Sequence, residues 1–374
     1  MSNEEFYAYK PDYAIHPGEY LEEVLKSNEI KKKDLSDRLG ISVKHLSQII
    51  HKQEMITAKL AVQLERTLGI SGNIWNNLNA DYSLFCARSN ELKALKFTLE
   101  WINDFPINEL KKIGFLPSVK DKETIAEKLL QFFGVSTPEQ WQQYYDLKAA
   151  YFRKSPAFSD NLSHIASWLR IGEIKASEIA VAHFDKDVFK TNLDKIRSFT
   201  LNKVDEFEPE MKRLCAMSGV ILVFVPEFKK THISGVARWL TQEKAMIIMS
   251  LRYKTNDHFW FTFFHEAAHI LLHGKKNTFI DDLKGFPSKE EDEANRYSKN
   301  MLIPESEYKN FVSKGRFSHA DIKSFSKKIK IHPGILVGRL QHDKHIKYGW
   351  HNDLKEKYEF ILESEPSLTR GNTE

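Results

Sequence analysis

The stretch His265-Glu266-Ala267-Ala268-His269 decides how the rest of this chain is interpreted. Residues four positions apart lie on the same face of a helix, so the two imidazoles converge while Glu266 stands beside them. Neutral imidazole is a zinc ligand, and a catalytic zinc has three protein ligands and an open position for water. Zinc acidifies water, and a neighbouring glutamate then acts as general base. The motif predicts a Zn²⁺ site with His265 and His269 as ligands and Glu266 as the catalytic residue.

The segment around the motif favours this site over a helix whose histidines are ordinary surface or core residues. Apolar residues such as Phe261, Phe264 and Leu271 predict a buried helix over about 257–273. A candidate strand at 245–251 comes just before this helix and would hold an extended substrate. A metal site that has lost catalysis remains the other alternative.

The neighbouring elements describe a small α+β domain. A β-branched run at 220–225 stops at Pro226, and a second candidate strand lies at 233–240. A further helix spans about 289–301 and is ended by Pro304.

The third metal ligand should come from this last helix. Its apolar face is marked by Ala294, Tyr297, Met301 and Leu302. A ligand on the inward face should precede Ala294 by three or four residues, which points to Glu291 or, less well, to Glu290. Glu293 falls about 100° off that face, because each residue turns a helix by about that angle.

Several other polar residues are candidates for supporting roles. Asn295, four residues after Glu291, is placed to hydrogen-bond a ligand histidine. His273 is either a spare ligand or a cation at the C-terminal end of the helix. A developing oxyanion needs a second donor, for which His258, Arg238 and Tyr297 are candidates.

From about Asp205 to Pro304 the sequence resembles the ImmA/IrrE family of zinc-dependent endopeptidases. The matching stretches are Gly219-Val220, Ser234-Gly235-Val236-Ala237, Met246–Ser250, Phe261–His269, Glu291–Tyr297 and Met301-Leu302-Ile303-Pro304. The resemblance implies His265 and His269 as ligands, Glu266 as catalytic glutamate and Glu291 as third ligand. It also implies a transcriptional repressor or antitoxin as the cleaved protein. Ser298 departs from the family, which usually has alanine there.

Residues 16–80 resemble the helix-turn-helix domain of the Xre and HigA-type regulators. Ser36 is the small residue in the first helix of the pair, and Gly40 makes the turn. The second helix would enter the major groove, which implies operator DNA as a partner and allows a homodimer through this domain. The candidate base or phosphate contacts are Ser42, Lys44, His45, Gln48 and Lys52. The alternative is a helical packing or dimerisation module that kept the fold without the binding.

The distribution of charge supports DNA binding better than the formal net charge of +4 does. Residues 1–30 carry two lysines against seven acidic residues, whereas residues 31–52 carry five lysines and one arginine against two aspartates. One face should therefore repel phosphate and the other attract it. Residues 305–350 are also basic, which indicates either a second phosphate-facing surface or a solvated face.

Composition limits the class of protein further. Hydrophobic residues make up 41% of the 374 residues, which excludes a chain disordered throughout. Cys86 and Cys215 are far apart, so neither a disulfide framework nor a thiolate zinc site is expected. The acidic N-terminus lacks a signal-peptide pattern, and no apolar run approaches the ~20 residues that span a bilayer. We expect a soluble cytoplasmic protein without membrane contact.

The expected fold is mainly α with a small α+β zincin-like domain. A five-helix helix-turn-helix domain at 1–80 is followed by a helical connector at 81–204 and the peptidase domain at 205–305. A basic helical unit that is helix-turn-helix-like follows at 306–350, and 351–374 is a tail. Part of that basic unit, 329–341, resembles a C-terminal extension found in one branch of the family.

The function expected is that of a DNA-binding transcriptional regulator whose zinc endopeptidase domain cleaves a repressor or antitoxin. The alternative is a non-catalytic HigA-like antitoxin or repressor that binds operator DNA and a toxin partner.

Overall fold

The computed structural model of the chain describes residues 13–96, 99–152, 162–229, 231–274, 278–280, 289–361 and 367–370. The chain divides into two compact units, Met1–Leu99 and Glu100–Glu374. The expected class, mainly helical with a small α+β part, is confirmed.

The first unit is a bundle of five helices. They are α1 (Pro17–Ser27), α2 (Lys32–Leu39), α3 (Val43–Ile50), α4 (Ala58–Leu68) and α5 (Gly72–Lys96). Leu21, Leu35, Leu46, Leu64 and Trp75 are fully buried in its core, as the helical spacing of apolar residues predicts.

Two glycines fix the way in which these helices meet. A Cβ at Gly18 would lie 1.9 Å from the carbonyl oxygen of Ile49, so α1 crosses α3 where no larger residue fits. Gly40 ends α2 with a left-handed backbone (φ 66°), which opens the turn into α3. The pair α2–α3 is therefore held as a helix-turn-helix.

The second unit holds the remaining helices and strands that the structure describes. Its helices before the sheet are α6 (Ile107–Lys112), α7 (Lys122–Phe133), α8 (Pro138–Phe152), α9 (Leu162–Ser177), α10 (Lys186–Ser198) and α11 (Val204–Met217). The later elements are β1 (Val220–Phe224), β2 (Gly235–Thr241), β3 (Lys244–Met249), α12 (Asn256–Leu272), β4 (Thr278–Ile280), α13 (Lys289–Leu302), α14 (Glu305–Val312), α15 (His319–Ile329), α16 (Pro333–His342), β5 (Tyr358–Ile361) and β6 (Ser367–Arg370). Short 3₁₀ turns lie at Leu99–Asp104, Phe199–Leu201 and Asn352–Leu354. Among the described helices, none combines the length and apolar character that crossing a membrane requires.

A four-stranded sheet in the order β1-β3-β2-β4 supports the second unit. Strand β3 runs parallel to β1 and antiparallel to β2, and β4 pairs antiparallel with β2. Ala245, Ile247 and Met249 pack in the core that includes α12, whereas Ile248 on the opposite face lies against Gly172 of α9. Both faces are covered, which explains why β1 and β3 are continuously apolar.

The sheet order corrects one prediction from the sequence. The strand just before the motif helix, predicted at 245–251 to hold an extended substrate, is β3, which pairs with β1 on one side and with β2 on the other. A paired strand has no free backbone edge, so a substrate cannot add to it. In the described part of the chain, β4 is the edge strand on the β2 side, and its three residues gave too short a signal to predict.

The expected connector at 81–204 contains more than one kind of element. Its first residues continue α5 of the first unit, and α10 places Phe189, Leu193 and Ile196 in the core that contains α12. Several of its aromatic residues pack on each other: Trp101, Phe105, Phe133 and Trp141 form ring contacts.

The C-terminal residues pack in the same core as α12. The contributing side chains are Ile322, Phe325, Ile331, Ile335, Leu336, Val337, Leu340, Ile346, Leu354 and Tyr358. Tyr358, in a region where the sequence predicted only a tail, is 1% exposed, and its ring contacts Phe207 and Phe259. Its backbone N–H donates to Lys254 O at 2.8 Å.

A buried ion pair joins this C-terminal segment to the start of α12. Lys355 Nζ donates to Asp257 Oδ2 at 2.7 Å and to Gln341 Oε1 at 2.8 Å. Next to it, Asn256 N donates to Glu356 O at 2.9 Å. The first turn of α12 is therefore held by residues that lie about a hundred positions later in the sequence.

Candidate functional site

The two motif histidines lie on the buried helix α12. His265 and His269 are one turn apart, and their side chains are fully buried. Their Nε2 atoms are 3.0 Å from each other. The helix places both rings on one face, as the four-residue spacing predicts.

The carboxylate of Glu291 on α13 faces both rings. Glu291 Oε2 lies 3.2 Å from His265 Nε2, and Oε1 lies 3.4 Å from His269 Nε2. Tetrahedral coordination with metal–ligand distances of about 2.0–2.1 Å separates donor atoms by roughly 3.4 Å. The two nitrogens and the carboxylate are therefore spaced as the ligands of one ion are, and they form a candidate metal site.

The other glutamates of this helix lie elsewhere. Glu293 faces His273, with Oε2 3.4 Å from His273 Nε2, and Oε1 3.7 Å from Lys289 Nζ. Among the metal clusters formed by the described residues, Glu291 is the member that α13 supplies. The alternative ligand Glu290 is not part of that cluster.

Glu266 is fully buried beside the histidines and lies against β2. A Cβ at Gly235 would be 2.8 Å from Glu266 Cγ and 2.7 Å from Thr262 Cγ2. The side chain of Glu266 thus occupies the space that the missing side chain of Gly235 leaves. Close approach of a strand to another group is a characteristic use of glycine.

His273 contacts His269, one of the two candidate ligand histidines. Its Nδ1 is 2.9 Å from His269 Nδ1, and its other nitrogen faces Glu293. Metal-binding histidines commonly use the second ring nitrogen in a hydrogen bond of this kind, which fixes the ring. Burial, followed by the charges of His265 and His273, lowers the pKa of His269 to about 2. The ring is therefore neutral at ordinary pH, which is the form that binds metal ions.

A cavity of about 870 Å³ continues along the α12–α13 groove. Phe261 and Thr262 line it from α12, one turn before His265, and Asn295 and Arg296 line it from α13. In the described part of the chain, Asn295 makes no hydrogen bond to a histidine; it faces the cavity instead, unlike the prediction.

The three candidate oxyanion donors lie in different places. Arg238 pairs with Glu173 of α9 and so points to the face of the sheet opposite α12, which excludes it from the site. Burial, followed by the charge of Asp194 on α10, raises the pKa of Tyr297 to about 12, and Tyr297 is not among the described residues that line the cavity. His258 lines the cavity, two turns before His265, and stacks on Tyr253 with ring centroids 4.1 Å apart.

Ser298 has a structural role that accounts for its presence. It is fully buried, and its hydroxyl donates to Phe261 O at 2.8 Å. This bond ties α13 to α12 one turn before His265. The sequence did not reveal the role, because the partner is a backbone carbonyl.

The predicted DNA contacts of the first unit fall into two groups, according to whether their side chains already contact other residues of the unit. Ser42 accepts a hydrogen bond from His45 N and caps α3, and His45 Nδ1 lies 2.7 Å from Glu54 Oε2. Lys52 Nζ donates to Glu19 Oε1 at 2.6 Å. These three side chains are engaged within the unit.

Lys44 and Gln48 form the second group. They lie one turn apart on α3, and Lys44 is exposed. Within the described residues, neither side chain makes a hydrogen bond or an ion pair. Both remain available to a ligand.

The acidic α1 neutralises part of the basic segment. Besides the pair Lys52–Glu19, Lys32 Nζ lies 3.7 Å from Glu22 Oε1. The two charge patterns that the sequence separated are therefore in contact. The Glu19 hydrogen bond raises the pKa of Lys52, and the same bond lowers the pKa of Glu19.

Comparison with known proteins identifies two domains in this chain. Residues 220–336 match the IrrE N-terminal-like domain of the M78 peptidases, and residues 21–75 match the helix-turn-helix domain. The chain thus contains a domain of a metallopeptidase family and a helix-turn-helix domain of the kind found in DNA-binding proteins. The chain therefore carries an IrrE-like domain of the M78 peptidase family and, on its N-terminal side, an Xre-type helix-turn-helix domain.

Individual proteins resemble this chain over about a fifth of its length. Virulence-associated protein I of Dichelobacter nodosus is 35% identical over 79 residues, which are 21% of this chain and 73% of that protein. Antitoxin HigA of Pseudomonas aeruginosa, solved with the higBA promoter, is 32% identical over 23% of this chain and 94% of its own, with a TM-score of 0.22. A putative antidote protein of a plasmid maintenance system from Nostoc punctiforme is 27% identical over 23% of this chain and 93% of its own, with a TM-score of 0.22.

Proposed function

We propose that this protein is a zinc-dependent endopeptidase that also binds operator DNA, and that it cleaves a repressor or antitoxin protein. The observation that carries the peptidase proposal is the cluster of His265, His269 and Glu291, whose donor atoms lie 3.0–3.4 Å apart beside the buried Glu266. The family of the domain supports the same activity.

The donor set fits Zn²⁺. Two neutral imidazoles and one carboxylate are the ligands of many catalytic zinc sites, and they leave a coordination position open. His265, His269 and Glu291 would hold the ion. Bound zinc would supply Lewis-acid polarisation of the scissile carbonyl and lower the pKa of water.

The residues of this chain would move the proton. Glu266 accepts a proton from the attacking water on its carboxylate and passes it to the nitrogen of the leaving amine, so the peptide bond breaks as the amine becomes neutral. The backbone of Gly235 packs against that carboxylate and so limits its position. His258, on the cavity wall, is the remaining candidate donor to the oxyanion.

The substrate would bind as an extended strand next to β4. In the described residues β4 pairs with β2 alone, so its outer edge offers backbone donors and acceptors. Addition of a peptide strand to an exposed edge is a common mode of recognition. The cavity between α12 and α13 would take a side chain of the same substrate.

Operator binding would rest on α3 of the domain proposed at 1–80. The free side chains of Lys44 and Gln48 support this assignment, with Ser42, His45 and Lys52 as further contacts once DNA competes for them. Two copies joined through this domain would read two half-sites. We assign the peptidase to 205–305, joined by the connector 81–204.

Incubation of the zinc-loaded protein with the proteins encoded next to it tests the proposal. We expect one of them to be cut at a defined bond, and we expect the Glu266→Gln variant to bind zinc but to cut at least about 100-fold more slowly. Cleavage that survives this variant would contradict the role of Glu266. Absence of any cleavage with neighbouring proteins and with denatured generic substrates would contradict the peptidase assignment.

A further inference from the structure

A second cluster of metal-binding side chains lies in the C-terminal part of the second unit. It consists of His319 at the start of α15, with His351 and Asp353 from the loop after α16. One donor atom from each lies within 4.8 Å of the other two, and His319 Nε2 is 3.2 Å from Asp353 Oδ1. The rings of His319 and His351 are 4.6 Å apart between centroids. The three residues come from two segments that are separated by about thirty positions.

The loop that carries His351 and Asp353 is held from inside the protein. Gln341, 2% exposed, has its Nε2 within 3.0 Å of Tyr348 O, Trp350 O and Asn352 Oδ1. Its Oε1 accepts from Lys355 Nζ. A single buried amide thus fixes the loop on both sides of His351. Groups already fixed in place lose less conformational entropy when they bind a ligand.

The backbone of His351 is in an uncommon conformation. Its φ is 62°, in the left-handed region that non-glycine residues seldom adopt. This conformation brings the His351 ring beside that of His319. In the described part of the chain, no hydrogen bond reaches either ring nitrogen of His351. A strained backbone that positions an unengaged imidazole is a feature of ligand sites.

The chemistry of the three side chains selects the kind of ligand. Two imidazoles and a carboxylate bind divalent transition metals, in particular zinc, whereas calcium and magnesium prefer oxygen ligands. The 3.2 Å between His319 Nε2 and Asp353 Oδ1 is close to the roughly 3.4 Å expected around tetrahedral zinc. The side chains of His319 and Asp353 are 47% and 64% exposed, so an ion can reach them from solvent.

We propose that His319, His351 and Asp353 form a second site for a divalent transition-metal ion, separate from the cluster on α12. An ion held there would join α15 to the loop of residues 348–355. That loop leads to Lys355, which pairs with Asp257 in the first turn of α12. The ion would therefore stabilise the segment that holds the N-terminal end of the motif helix.

Zinc stoichiometry of the full chain tests this site. The protein is stripped with a chelator, equilibrated with zinc, desalted and analysed for zinc per chain. We expect the wild type to retain one zinc more than either His319→Ala or His351→Gly. Glycine is chosen at 351 because it removes the imidazole and accepts the left-handed backbone. His342→Ala is the matched control, because His342 is an exposed histidine near the same loop that contacts Asp343, and it should retain the wild-type number.

Thermal unfolding in the His265→Ala background gives a second readout that does not depend on peptidase activity. There we expect zinc to raise Tm, because an ion that binds the folded state alone stabilises it. Zinc should leave Tm unchanged in the His265→Ala/His351→Gly double variant. Equal zinc content in the wild type and His351→Gly, or a zinc-induced rise in Tm that survives in the double variant, would overturn the proposal. Loss of the same ion in His342→Ala would show adventitious binding and would overturn it as well.

Discussion

The carboxylate side chain of Glu266 packs directly on the backbone of Gly235, so closely that a Cβ at position 235 would lie 2.8 Å from both Cγ and Oε1 of Glu266. The glycine at the start of β2 therefore determines where the proposed general base stands. The three atoms nearest to such a Cβ belong to Glu266 and Thr262, whereas the proposed zinc ligands are His265, His269 and Glu291, so the position of the base and the binding of the metal can be tested separately.

Substitution Gly235→Ala should displace the Glu266 carboxylate while leaving the metal site intact. Misplacement of a catalytic group by about 1 Å can cost roughly 100-fold in rate, and overpacking costs about 1–3 kcal/mol of stability. We expect zinc content near that of the wild type and turnover reduced by about that factor, measured by elemental analysis and peptide cleavage. Gly349→Ala is the control, because nothing lies within 4 Å of a Cβ there. Unchanged turnover in Gly235→Ala would refute this account.

The choice among the glutamates of α13 can be tested directly. Glu291→Gln should lower zinc affinity strongly, because it replaces the carboxylate, which is the charged member of the three proposed ligands, by a neutral amide. Glu290→Gln should leave zinc affinity unchanged. Competition with a chromophoric chelator measures both. An equal loss of zinc affinity in the two variants would show that the assignment of Glu291 as the third ligand is wrong.

His273 should affect the metal without binding it. Removal of a partner that orients a ligand histidine costs about 10–100-fold in metal affinity, so His273→Ala should weaken zinc binding by that factor. His258→Ala is the matched comparison on the same helix: it should lower turnover and leave zinc affinity as it is. The prediction fails if the two variants exchange these effects.

Release of Lys52 should strengthen DNA binding. Glu19→Gln removes the negative partner of Lys52 but still accepts the N-cap hydrogen bond of α1, so the helix is kept. Each additional phosphate contact steepens the dependence of log affinity on log salt by about 0.9. We expect tighter operator binding with a steeper salt slope in fluorescence anisotropy. Lys44→Ala should weaken operator binding and make the salt slope shallower. Unchanged operator affinity in both variants would contradict the assignment of α3 as the DNA-binding helix.

Operator binding should not depend on the metal. Among the described residues, the buried core of the first unit consists of side chains from Leu21 to Trp75, so chelation or His265→Ala should leave its fold unchanged. Operator affinity should then equal that of the wild type while zinc is lost. A protein that acts only as an antitoxin-like repressor would behave in the same way but would show no zinc-dependent cleavage under any condition.

The part of the site that depends on local geometry was predictable from the sequence. A four-residue spacing places His265 and His269 on one face whatever the surrounding fold, and the apolar pattern of the next helix identified Glu291 as the first choice for the third ligand. The first three strands and both site helices were recognisable from their apolar patterns for the same reason.

The remainder depends on which elements meet in space. That β3 is central and β4 lies at the edge follows from strand order, which no local pattern encodes. Arg238 was a plausible donor until pairing placed it on the α9 face of the sheet. The partners of Ser298 and His273 belong to a neighbouring helix and an adjoining ring, and Tyr358 is buried because it meets Phe207 from 150 residues earlier.

The ion pair between Lys355 and Asp257 limits how this protein can be divided or inactivated. A fragment that stops at residue 336, where the family match ends, would lack both Lys355 and the part of α16 that packs on Asp257 at Gly338. We expect such a fragment to lose the first turn of α12 although His265, His269 and Glu291 are all present. We expect a single cut between Asp343 and Lys355 to weaken the same attachment and so to act as an irreversible off switch, although it leaves the helices that carry His265, Glu266, His269 and Glu291 uncut.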